Sequence, residues 1–156
     1  MTDYALLNAQ ISALSEGCSK PLPMLANAAA LLWTSLPDIN WAGFYLLSGE
    51  ELLLGPFQGK IACTRIRLGR GVCGTAAASR CPQRVEDVHS FPGHIACDEA
   101  SRSELVIPLV TNDGILRGVL DLDSPRVARF TAADEAGLTA FTKALLDSID
   151  WSDGLI

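Results

Sequence analysis

Apolar positions along this chain change their period several times, and each change marks a new element. Tyr4, Leu7, Ile11 and Leu14 recur at helical spacing. Leu25, Ala29 and Leu32 form one stripe within a second apolar stretch, residues 22–36. Two helices are therefore predicted, separated at Gly17 and Pro21. From Ile39 the period falls to two: Trp41, Gly43, Tyr45 and Leu47 share one face of a strand, and Ala42, Phe44 and Leu46 the other. Ser48-Gly49-Glu50 is a turn and residues 52–57 the returning strand, which predicts an antiparallel pair. Residues 60–68 follow as a further strand with Cys63 at its middle. Gly69-Arg70-Gly71-Val72-Cys73-Gly74 then opens a short alanine-rich helix, residues 75–79, that ends at Arg80-Cys81-Pro82.

The second half repeats the alternation. Residues 83–88 make a short strand, followed by a loop too polar and too rich in Gly and Pro for a core strand. Residues 105–111 and 115–122 are apolar runs of strand length joined by Asn112-Asp113-Gly114, whose Asp-Gly pair is a strong hairpin signal. Thr131 with Asp134 forms a capping box for a closing helix that buries Leu138, Phe141, Leu145 and Ile149. This order predicts one α+β domain spanning residues 1–156. Its sheet should be mostly antiparallel, because the strands come in hairpin pairs without regular crossover helices. The terminal helices are expected to pack together on one face, leaving the glycine turn, the cysteine loop and two aspartates to the other.

Composition narrows the function. A chain of 156 residues is long enough to bury a core without disulfides or metal. No apolar run approaches the roughly 18 residues of a membrane span. Met1-Thr2-Asp3-Tyr4 lacks the basic start of a signal peptide, so a cytoplasmic location is expected. Net charge is −6 and the basic residues are scattered singly, which makes nucleic acid an unexpected partner. Five cysteines without framework spacing point to catalysis, redox work or metal rather than permanent bridges.

The chemistry gathers around those cysteines. Ile61-Ala62-Cys63 and Ile95-Ala96-Cys97 are near-repeats, and Cys73 lies inside the glycine run between them. A working thiolate needs exposure and nearby donors or positive charge; Cys97, three residues after His94 and just before Asp98, has that setting. The glycine turn opening a helix points backbone N–H groups outward, which suits an anion. Glu104 beside the loop, and Asp121 with Asp123 on one face at the end of an apolar strand, ask for a reason. Either the strand end meets solvent, with Asp123 capping the Ser124-Pro125 turn, or the acids line a pocket that holds an ammonium or donates a proton. Trp41 and Tyr45 fit a core equally with a ligand-covering wall. A zinc site from His89, His94 and Cys97, completed by Cys63 or Cys73, is a rival without a Cys-x-x-Cys knuckle. A papain-like site is weaker, since no oxyanion arrangement is visible.

Several stretches together resemble one family: Asp38 to Tyr45, Leu54 to Cys63, Gly69 to Thr75, Gly93-His94-Ile95-Ala96-Cys97-Asp98, Ser103-Glu104 and Gly118 to Ser124. They are similar to the free methionine-(R)-sulfoxide reductases, single-domain members of the GAF superfamily, from about Leu36 to the closing helix. The resemblance implies reduction of the R epimer of free methionine sulfoxide, with Cys97 as the attacking cysteine, Cys63 as the resolving one and Cys73 able to exchange with the pair. It implies that Glu104, Asp121 and Asp123 are the pocket acids, Trp41 and Tyr45 its aromatic wall, and the backbone at Gly71, Val72 and Cys73 the seat of the substrate carboxylate. No bound cofactor or metal is implied; thioredoxin, fed by NADPH through its reductase, is the electron donor. A homodimer paired through the terminal helices is also implied. The competing expectation is a GAF sensor that binds a small ligand without turnover, a module that normally belongs to a longer chain.

Overall fold

The computed structural model describes residues 1–94 and 99–156. Along the chain run α1 (Tyr4–Leu14), α2 (Pro21–Ser35), β1 (Trp41–Ser48), β2 (Glu51–Gly59), β3 (Arg65–Arg67), α3 (Gly71–Ser79), β4 (Gln83–Val85), β5 (Ser103–Val110), β6 (Leu116–Ser124) and α4 (Ala132–Asp147). The strands form one sheet in the order β3-β2-β1-β6-β5-β4, and every neighbouring pair is antiparallel. The two hairpins predicted from their turns, β1-β2 and β5-β6, lie side by side at its centre.

Strand alternation divides the apolar residues into two clusters. On one face Ala42 and Phe44 of β1, Leu105, Ile107 and Leu109 of β5, and Leu120 and Leu122 of β6 pack beneath α1, α2 and α4. On the other, Trp41, Tyr45, Leu52, Val106 and Val119 meet Val72, Cys73, Ala76 and Ala77 of α3. The helical face forms as the pattern requires. α4 begins at a full capping box, Thr131 with Asp134, and Leu138, Phe141 and Leu145 are wholly buried. α1 lies close against α4 because Gly137 has no side chain: a Cβ there would collide with the Tyr4 ring, whose hydroxyl donates to Asp134 Oδ1 at 2.6 Å. Leu14, expected on the buried stripe, is instead exposed at the end of α1.

The structure corrects the reading of residues 60–68 as one strand. Only Arg65–Arg67 joins the sheet, opposite Glu51 to Leu53, and Cys63 precedes it in irregular chain. Side chains take over what a ladder would do. Trp41 Nε1 donates to the Lys60 carbonyl at 3.1 Å and the Tyr45 hydroxyl donates to the Cys63 carbonyl at 2.9 Å, so these backbone groups are satisfied without strand pairing. Residues 83–88 are likewise shorter as a strand than expected. Pairing stops at Val85, after which Val88 N donates to the Arg102 carbonyl and Asp87 accepts from His89 N, turning the chain into a short 3₁₀ segment.

Candidate active site

Register across three strands builds the acidic floor of a pocket on the α3 face. Asp123 of β6 stands opposite Trp41 of β1 on one side and Glu104 of β5 on the other. One step along, Asp121 stands between Gly43 and Val106. Asp121, Asp123, Glu104, Trp41 and Tyr45 all border one cavity of about 40 Å³, together with Gly71, Val72 and Cys73 of α3 and with His94. Every described residue that the sequence singled out for this site therefore reaches it, either at its wall or, for Cys63, among the side chains packed around it. Cys97 lies outside the described residues.

The aromatic wall is both core and pocket, which removes the choice between the two readings. Trp41 and Tyr45 are 3% and 2% exposed, and the Trp41 ring stacks between those of Tyr45 and Phe57, at 5.8 and 5.2 Å between centroids. Gly43, two residues from each, makes this possible. A side chain there would strike Phe57 and the Trp41 ring.

Three acids in a buried space compete for protons. Burial, followed by the charges of Asp121 and Asp123, pushes the Glu104 carboxyl well above the usual range. Burial also raises Asp121 to about 6, against the lowering effect of the neighbouring Glu104 and Cys73 groups. The buried Cys73 thiol is pushed well up by burial and by Asp121 and Glu104, and its Sγ lies 3.9 Å from Glu104 Oε1. Burial and its acidic neighbours thus bias Glu104 toward the protonated carboxyl, and Cys73 is a thiol at neutral pH. The geometry offers proton donation and a negative field at one end, and an apolar ring face at the other.

The turn beside Asp123 is organised by its neighbour. Ser124, fully buried, accepts from Arg126 N at 3.1 Å and donates to the Asp38 carbonyl at 2.5 Å, while Asp123 borders the cavity. α3 begins at Gly71 with Arg70 as a cap that makes no side-chain hydrogen bond, and its first turn holds no acidic residue. That helix end enters the cavity beside the carboxylates.

Sequence reasoning missed the closeness of His94 to this floor. His94 Nε2 is 3.9 Å from Glu104 Oε2, and burial, then the neighbouring His89, lowers its pKa. Spacing gave no signal for this, because the approach depends on how the loop returns to β5. His89, proposed with His94 as a metal ligand, is exposed. Ile61, noted in the sequence only as part of a near-repeat, stands 89% exposed at the pocket. Among the described cysteines, Cys18, Cys73 and Cys81 are free and Cys63 is disulfide-bonded.

Comparison with known proteins adds a second line. Residues 21–146 match the GAF domain family model. The chain is 61% identical over 135 residues to the free methionine-R-sulfoxide reductase of Escherichia coli, covering 86% of this chain and 81% of that protein. It superposes on fRMsr of Staphylococcus aureus in complex with substrate with a TM-score of 0.89 at 46% identity, covering 96% and 97% of the two chains. It also superposes on the Neisseria meningitidis free methionine-R-sulfoxide reductase in complex with its substrate, with a TM-score of 0.87 at 42% identity over 93% and 87%.

Proposed function

The chain belongs to the GAF domain family and, within it, to the free methionine-(R)-sulfoxide reductases, and from that membership we propose that its pocket reduces the R epimer of free methionine sulfoxide by thiol chemistry. The Cys97 thiolate attacks the sulfoxide sulfur while a pocket carboxylic acid protonates the oxygen. The substrate's sulfur–oxygen bond breaks as the oxygen leaves as hydroxide, which then attacks the Cys97 sulfur and cleaves its new bond to the substrate sulfur, releasing methionine and leaving Cys97 a sulfenic acid. Cys63 condenses with it, releasing water and forming a disulfide. The disulfide-bonded state of Cys63 supports a resolving role for that residue. Cys73, a buried thiol that holds its proton, suits later exchange better than attack. Thioredoxin, reduced by its reductase with NADPH, returns the dithiol.

The observation that carries this reading is Glu104, a carboxyl buried at the cavity wall beside Asp121 and Asp123, where burial and those two charges favour its protonated form. An acid in that state can donate to a developing oxyanion where an ordinary glutamate cannot. The rest of the cavity fits a free amino acid. Asp121 and Asp123 suit the α-ammonium, the N–H groups opening α3 at Gly71, Val72 and Cys73 suit the α-carboxylate, and Trp41 with Tyr45 suit the S-methyl group. A peptide-bound residue lacks both charged ends and is disfavoured. We place the enzyme in the cytoplasm, as a homodimer paired through α1 and α4.

Purified protein supplied with racemic free methionine sulfoxide, thioredoxin, thioredoxin reductase and NADPH should consume half the sulfoxide and stop, with chiral chromatography showing the S epimer untouched. Cys97→Ser should abolish turnover, and Cys63→Ser should still release methionine once per chain. Consumption of the S epimer, or none of either, overturns the assignment. In the second case a ligand-binding GAF module takes its place.

A further inference from the structure

Three possible metal ligands converge on the floor of the cavity. Cys73 Sγ, a Glu104 carboxylate oxygen and an Asp121 carboxylate oxygen all lie within 4.8 Å of one another. They come from α3, β5 and β6, so the tertiary fold holds them together rather than one flexible loop. All three side chains are more than nine-tenths buried, at 4%, 5% and 6% exposure. Independently of the cluster's charge, Asp121 Oδ1 is buried without a hydrogen-bond partner. An acceptor left so is destabilising until a donor or cation meets it, and Asp121 lines the cavity wall.

We propose that the reduced pocket is a binding site for a thiophilic divalent cation, zinc being the one that fits, held by Cys73, Glu104 and Asp121. The geometry is close to what zinc demands. Bonds of about 2.3 Å to sulfur and about 2.0 Å to oxygen place tetrahedral ligand atoms roughly 3.3–3.5 Å apart, and Cys73 Sγ stands 3.9 Å from Glu104 Oε1. The whole set lies within 4.8 Å, so closing it takes side-chain adjustment of up to about 1.5 Å. One thiolate with two carboxylates suits zinc better than magnesium or calcium, which take oxygen ligands in larger number, or copper(I), which prefers sulfur throughout. The fourth position is left to water, for which a cavity of about 40 Å³ has room. Binding displaces protons from the ligands to solvent and fills the place of an organic ligand, so the cation and a small-molecule ligand exclude one another. This inference concerns the pocket's own side chains and stands apart from the sulfoxide reading.

Cobalt(II) tests it, because its thiolate complexes absorb where its oxygen complexes do not. The fully reduced Cys63→Ser/Cys97→Ser double variant, which keeps Cys73 as its pocket thiol, should bind one equivalent with a thiolate-to-cobalt band that zinc bleaches stoichiometrically. Adding Asp121→Asn should weaken binding by more than the roughly 10–100-fold typical of losing an outer-shell partner. Adding Cys73→Ser should remove the band, with circular dichroism checking that each variant is folded. If Cys73→Ser does not fold, Glu104→Gln carries the same expectation of weakened binding. No binding, binding without the band, or affinity unchanged by Asp121→Asn overturns the proposal.

Discussion

Asp121 shows how a single side chain can be set against the stability of the whole. Its pKa rises from 3.8 to about 6 on folding, chiefly through burial, so the folded chain holds a proton that the unfolded chain has lost. The favourable contribution of that protonated carboxyl is complete below pH 4 and disappears as pH rises through about 6; above it, a charge stays buried. Asp121→Asn should therefore be more stable than the parent at pH 7, by up to about 3 kcal/mol, with the difference shrinking toward pH 4. Urea unfolding across that range measures it, and a difference independent of pH would contradict the argument. An uncharged floor that folds better and binds worse is the signature of a residue kept for its chemistry.

Among elements, the pocket is a product of register. Alternation in the sequence places Asp121 and Asp123 on one face, and does so correctly. That Glu104 stands opposite Asp123 follows from the β5-β6 pairing, which slips once between Leu109 and Val110, and a hydrophobic pattern does not encode such a slip. The arrival of Cys73 from a helix above the sheet is equally invisible, because it depends on packing between distant segments. Residues 60–68 carry strand-like alternation, yet the Lys60 and Cys63 carbonyls are tied to Trp41 and Tyr45 side chains instead of a neighbouring strand. Gly43 joins register to pocket. Gly43→Ala should force Trp41 and Phe57 apart, destabilising the protein by about 1–3 kcal/mol and raising KM for a ligand that rests on the Trp41 ring. Unchanged stability and KM together would show that the ring stack does not depend on that gap.

At the scale of the molecule the sheet separates two jobs. Large apolar residues beneath α1, α2 and α4 hold the fold, and the smaller α3 side holds the cavity. Phe141→Ala, deep on the helical side, should cost about 3–5 kcal/mol while leaving KM near the parent value at temperatures where the variant is folded; thermal melts and steady-state kinetics read the two effects separately. This division also explains why the fold was legible in the sequence and the site only partly so. Helical and strand periods report which face is buried, a property of each element alone. Distances among Cys73, Glu104 and Asp121 report how elements meet. Among the described residues the two apolar clusters have no residue in common, and from that a freedom follows: substitutions can accumulate around the ligand while the opposite side goes on guaranteeing the architecture. A lineage built on such a partition can drift from one small metabolite to another without passing through an unfolded ancestor.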